Sequence, residues 1–148
     1  MPVARSTREL ENMLHHELRK AMKVTQEKSE ADMHEEVGLF YTWGEPTIYQ
    51  RTGGLGSSPR TTALNDNGNS MGFDAYLSQD QGWYGRGNPN PAFTSRGYKS
   101  YFSPLQILNA AEYHLAHVKG RPQFWHRATI KMERDYQNTL EKFGFIKG

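Results

Sequence analysis

The sequence predicts an α+β fold: a long N-terminal helix, a small antiparallel β-sheet with a hairpin, a short helix and a C-terminal amphipathic helix. Three observations predict it. Residues 6–37 contain no Pro or Gly and space their apolar residues three or four apart. Residues 71–78 alternate, with Met71, Phe73, Ala75 and Leu77 between Gly72, Asp74, Tyr76 and Ser78, the pattern of a half-buried strand. Residues 124–143 return to helical spacing with Phe124, Trp125, Ala128, Met132, Tyr136, Leu140 and Phe143. At 148 residues the chain suits one domain, 1–148.

The first helix starts at a capping box, Ser6-Thr-Arg-Glu9, in which the Ser oxygen accepts from the third amide and the Glu reaches back. Leu10, Met13, Leu14, Leu18, Ala21 and Met22 form one apolar stripe. The helix should run about thirty residues, roughly 45 Å. Its stripe thins after Met22, so its second half is expected to lie exposed or to pack on another subunit. Leu39-Phe-Tyr-Thr-Trp43 reads as strand-like or extended, and Glu45-Pro46 ends it. Segment 39–78 is then an aromatic and turn-containing stretch followed by a hairpin over 61–78, with its turn at Asn65-Asp-Asn-Gly-Asn69. Segment 79–103 is a long loop rich in Gly, Pro and aromatics. Ser103-Pro104 starts a short helix over 104–118, with Leu105, Leu108, Ala111 and Leu115 as its stripe. Gly120-Arg-Pro122 breaks it. The last helix spans 123–143 and stops at Gly144.

The composition is polar. Hydrophobic residues make up 36% and the mean hydropathy is −0.83. This points to a small core with much polar surface, or to a subunit that completes its burial among neighbours. The net charge is only +2, but residues 1–36 sum to −2 and residues 106–148 to +3. An acidic end and a basic end could steer head-to-tail contacts between copies. The chain has no cysteine, which excludes disulfides, zinc–thiolate sites and thiol nucleophiles. There is no apolar run long enough to span a bilayer and no signal-peptide core, so a soluble protein made in a cytoplasm is expected.

The residues give little support to an enzyme. His114 and His117, with Glu112 nearby, share a helix face, but zinc needs three or four convergent ligands; solvated imidazoles at a helix end are the plainer reading. His15-His16-Glu17 lacks the second His of a zincin motif. His34-Glu35-Glu36 reads as a charged, exposed face. No Gly-x-Ser-x-Gly elbow and no phosphate-cradling loop occurs. Sixteen acids allow paired carboxylates, and nothing singles out two. No catalytic residue, metal or cofactor is assigned. The loop is a better candidate for binding. Trp83, Tyr84, Phe93 and Tyr98 are interleaved with Arg86, Arg96 and Lys99, the residue types that anchor protein interfaces. The same types stack on bases and contact phosphates, so a nucleic-acid-binding module using residues 81–102 is the alternative.

One stretch is more specific. Tyr49-Gln-Arg-Thr-Gly-Gly-Leu-Gly-Ser-Ser follows the long helix and the aromatic–Pro segment and precedes the hairpin, and Gly120-Arg-Pro-Gln-Phe-Trp-His-Arg-Ala128 leads into the last helix. In order and spacing this resembles the small head–tail connector and tail-completion (neck) proteins of long-tailed double-stranded-DNA bacteriophages, over roughly residues 8–78 and 104–143. Each motif is short, and segment 79–103 departs from the pattern. The resemblance implies no catalysis. It implies a ring of identical subunits, sixfold or twelvefold, at the head–tail junction of the virion, assembled in the host cytoplasm. The partners it implies are portal or adaptor and tail proteins, with non-specific contact to packaged DNA and no membrane. Arg51 and Arg60, flanking the Gly-Gly turn, are the expected intersubunit or DNA-facing charges. Leu55 and Trp125 are read as core residues.

Overall fold

The first helix, α1, runs over Thr7–Phe40, 34 residues, or about 51 Å. Ser6 caps it: the backbone is extended there and the Ser6 Oγ accepts the Glu9 N–H at 3.1 Å. The Glu9 carboxylate reaches back one residue further than a capping box requires, to the Arg5 N–H at 2.7 Å. The computed structural model describes residues 3–42, 55–78, 104–113 and 121–146. The other elements are β1 (Pro59–Thr61), β2 (Asn65–Asp66), β3 (Met71–Gly72), β4 (Ala75–Leu77), α2 (Pro104–Tyr113) and α3 (Phe124–Lys142). The fold is α+β, as the sequence predicts.

Two expectations about α1 are corrected. The run Leu39–Tyr41 is not a strand: the helix continues through Phe40 and turns at Tyr41, whose N–H is bonded to the carbonyls of Gly38 and Leu39. The reason is periodicity. Met33, Val37 and Phe40 lie on one buried face, and burying Phe40 requires the helix to continue past Gly38. The second half of α1 is also the buried half. Ala21, Met22, Thr25, Ser29, Asp32, Met33, Glu36, Val37 and Phe40 are all buried, while Leu10 and Leu14 are 47% and 51% exposed. The apolar stripe thins after Met22 because polar residues take its place in the contact, not because the contact ends.

The hairpin is one element with a slip in it. β1 pairs with β4 antiparallel, Arg60 opposite Tyr76, and β2 pairs with β3, Asp66 opposite Met71. Between the two ladders the first arm has one residue more than the second, a bulge-like offset. Thr62 sits at the slip. Its N–H donates to the Asp74 carbonyl at 2.9 Å and its hydroxyl accepts the Asp74 N–H at 2.8 Å. Its carbonyl accepts from Gln26 Nε2 of α1 at 2.6 Å, which turns it out of the ladder. The alternation read from the sequence holds from 73 to 77, with 73, 75 and 77 half-buried and 74 and 76 exposed; it fails at its ends, where Gly72 is half-buried and Ser78 is buried. The tip is closed by Asn67, whose Oδ1 accepts from the backbone of Asn69 and Ser70, with Gly68 at φ +88°.

The apolar core lies where the C-terminal end of α1 meets the start of α3. Val37, Phe40, Leu55, Ala111 and Phe124 are buried together, and Tyr41, Leu77, Leu108 and Trp125 pack around them. Leu55 is a core residue, as read from the sequence, and Trp125, read the same way, is partly buried at its edge. Phe40 and Phe124 meet edge to face with centroids 5.7 Å apart. At the other end, α3 finishes in a Schellman motif: the Phe145 N–H bonds to the Leu140 carbonyl and the Gly144 N–H to the Glu141 carbonyl, with Gly144 at φ +83°.

Candidate functional site: a charged seam and an uncovered helix face

α1 and α3 pack antiparallel along a seam whose middle is charged. Glu36 is 2% exposed. Its Oε2 accepts from Arg127 Nε at 2.7 Å and its Oε1 from Lys131 Nζ at 2.8 Å; Lys131 also meets Glu35 Oε2 at 3.2 Å. Two turns earlier on α1, Lys28 Nζ donates to Thr139 Oγ1 at 3.4 Å. Each step of four residues along α1 is therefore matched by a step of four back along α3. Lys28 faces Thr139 and Glu36 faces Lys131, so the rung between them sets Asp32 against Asp135.

The charges respond to this placement. Burial alone would raise the Glu36 carboxyl above its usual 4.5, but hydrogen bonds from Lys131 and Arg127 outweigh it and hold it below. The hydrogen bonds that Lys131 donates to Glu36 and Glu35 raise its ammonium, against burial. Asp32, 8% exposed, goes the other way: burial first, then the hydrogen bond and like charge of Asp135, push it up to about 6. Among the described residues, two buried side-chain atoms have no hydrogen-bond partner, Asp32 Oδ2 and Arg127 Nη2, and both lie in this seam. The exposed face expected at His34-Glu35-Glu36 is thus corrected: His34 and Glu35 are exposed and Glu36 is buried. The signal was present in the sequence as Lys28, Asp32 and Glu36 on one helix and Arg127, Lys131 and Asp135 on the other, each set four apart.

A carboxylate also organises the junction of α2 and α3. Glu112 Oε2 accepts the Trp125 N–H at 2.8 Å and its Oε1 the His126 N–H at 3.1 Å, while its backbone carbonyl accepts the Gln123 N–H at 2.7 Å. The residue at the helix start, Gln123, is left-handed at φ 59° and makes no side-chain cap. Glu112 replaces that cap from another element and sets a negative charge on the positive end of the helix. The Glu112→Ala substitution should cost about 1–2 kcal/mol, and urea unfolding checks it; a change below a few tenths would show that the cap is dispensable.

Among the described residues, the first turns of α1 are tied to the hairpin tip. His15 Nε2 and Arg19 Nη2 each lie 2.6 Å from Asp66 Oδ2 at the hairpin tip. The Gly68 amide, against a smaller cost of burial, and then His15 and Arg19 keep the Asp66 carboxyl below its usual 3.8. At roughly 100° per residue, Leu10, Leu14 and Leu18 continue the α1 face that α3 covers further along. α3 ends before reaching them.

Of the residues singled out in the sequence, Arg60 is described. It is half-buried on β1, with its guanidinium bonded to the Pro59 carbonyl at 2.8 Å. Arg51, Trp83, Tyr84, Arg86, Phe93, Arg96, Tyr98 and Lys99 lie outside the described residues, as do His114 and His117. Among the described residues no group of three or more His, Asp or Glu could hold a metal ion, and no helix is long and apolar enough to cross a membrane. Compared with known proteins, the chain matches no family model, and neither a curated protein nor a solved structure is similar to it.

Proposed function

We propose that this chain is a structural subunit of the neck of a long-tailed bacteriophage, which associates with copies of itself into a ring between portal and tail. The observation that carries the reading is the exposed apolar pair Leu10 and Leu14 on the first turns of α1. Along residues 7–20, about 21 Å of helix, Leu10 and Leu14 are exposed on the face that α3 buries elsewhere. A helix built this way gains burial from a neighbouring subunit. The order of the sequence motifs supplies the class of neighbour. Arg60 is part of the expected intersubunit charge, and the ring, its symmetry and its portal-side and tail-side partners belong to this proposal. The nucleic-acid alternative rests on residues 81–102.

Light scattering and native mass spectrometry should give a ring, for the protein alone or once the portal complex of the encoding phage is added. A double variant, Leu10→Lys with Leu14→Lys, should keep the fold and lose assembly. A monomer or dimer that ignores the portal and shifts only with DNA would overturn the reading in favour of nucleic-acid binding. A ring unaffected by the double variant would remove α1 from the interface.

A further inference from the structure

We propose that Asp32 and Asp135 share a single proton across the α1–α3 seam, and that losing this proton loosens the two helices. The rung between Lys28–Thr139 and Glu36–Lys131 sets Asp32, 8% exposed, against Asp135. With both ionised, two like charges stand on one rung where burial of Asp32 keeps water from offsetting them fully.

Each nearby cation already has an acceptor, although Arg127 Nη2 has none. Lys131 is bonded to Glu36 and Glu35, Arg127 to Glu36 and the Pro122 carbonyl, and Arg134 reaches Asp135 at 3.6 Å. Lys28, one turn before Asp32, is bonded to Thr139. On the hairpin side, Glu30 is turned to the Thr61 hydroxyl, and Glu112 of α2 is bonded to the start of α3. That leaves Asp32 Oδ2, buried and without a donor, on the rung it shares with Asp135. A proton there gives the rung the O–H···O⁻ bond it lacks. When the proton leaves to bulk water, two like charges remain on one rung, and like charges so placed resist ionising together.

The direction of the pH effect follows. An Asp that binds its proton more tightly when folded makes the folded state hold more protons than the unfolded one. This holds between the usual 3.8 and about 6. In that window stability falls as pH rises, by up to about tenfold in the folding constant per pH unit. Below the window the contribution is complete, and above about 6 it is gone.

The test is urea unfolding of the full chain between pH 4 and 8, for the native sequence and for Asp32→Asn and Asp135→Asn. Above the usual 4.5, where the opposite contribution of Glu36 is complete, the native protein should lose folding constant to about pH 6. Each Asn variant supplies a permanent donor to its partner acid, so each should flatten that fall and exceed the native protein at pH 7.5. Carbon NMR of the Asp side-chain carboxyls offers a readout that does not depend on a variant folding. One carboxyl should titrate near pH 6, and its step should vanish in either variant. A native profile with no fall in this window, or a full set of carboxyl titrations ending below pH 5, would overturn the proposal.

Discussion

Glu36→Ala should destabilise the protein by about 3–5 kcal/mol, the range for breaking one partner out of a buried ion pair. Domains of this size are stable by only about 5–15 kcal/mol, so the variant would be close to unfolding. The loss would come less from the attraction removed than from what remains. Arg127 Nη2 is already buried without a partner, and without Glu36 the Arg127 Nε loses its acceptor as well, while Lys131 keeps only Glu35, which is exposed. Glu36→Gln should cost less, since an amide oxygen can still accept one of the two bonds.

The same reasoning predicts a recovery. Glu36→Met combined with Arg127→Met removes the acid and the orphaned donor together, so the double variant should be more stable than Glu36→Ala alone, because apolar replacements of a buried pair are often neutral or better. Equal destabilisation of single and double variants in urea would mean that Glu36 acts by packing alone. On the acid side the sign is opposite to that of Asp32. Glu36 holds its proton less tightly when folded, so its contribution is present above the usual 4.5 and is lost as pH falls through the folded value. The Lys131 contribution, raised by the same contact, is complete below its usual 10.5 and is lost as pH rises through the folded value.

The sequence was legible where one rule decided the outcome. Ser6 and Glu9 marked the start of α1, Gly144 the end of α3, and the alternation from Met71 to Leu77 the returning arm of the hairpin. It misled where burial was inferred from hydrophobicity alone. Thr25, Asp32 and Glu36 lie on the buried face of α1 because Asp32 and Glu36 meet polar residues of α3 and the Thr25 hydroxyl bonds to the Ala21 carbonyl of its own helix at 3.0 Å. Leu10 and Leu14, read as the stripe, are the exposed residues. Glu112 was weighed as a metal ligand, yet its carboxylate holds the start of α3, a role no local pattern announces because the amides it binds lie 13 and 14 residues away. The opposite charge of the two chain ends, read as a device between copies, has a use within the chain: acids of α1 pair with bases of α3.

Phe124→Ala should cost about 3–5 kcal/mol through lost burial and the cavity left behind. Phe124 is 1% exposed and joins parts of the chain far apart in sequence: Val37 and Phe40 of α1, Leu55 before the hairpin, and Ala111 of α2. It is also the first residue of α3, next to left-handed Gln123, so its ring and the Glu112 cap fix the same helix start from two sides. The two should therefore be coupled. Phe124→Ala combined with Glu112→Ala should differ from the sum of the single effects by at least about 0.5 kcal/mol, as contacting residues usually do. Phe124→Leu, which keeps most of the volume, should lose about half as much as Ala or less. Urea unfolding of the four proteins gives the cycle. If Phe124→Ala costs under about 1 kcal/mol, the α1–α3 contact would have to be held chiefly by its charged seam. The seam alone is a poor candidate for that, since it carries an acid facing an acid and an arginine nitrogen without a partner. The apolar cluster at one end is what allows such a seam to persist: it fixes the two helices together while the rungs beyond it remain open to titration.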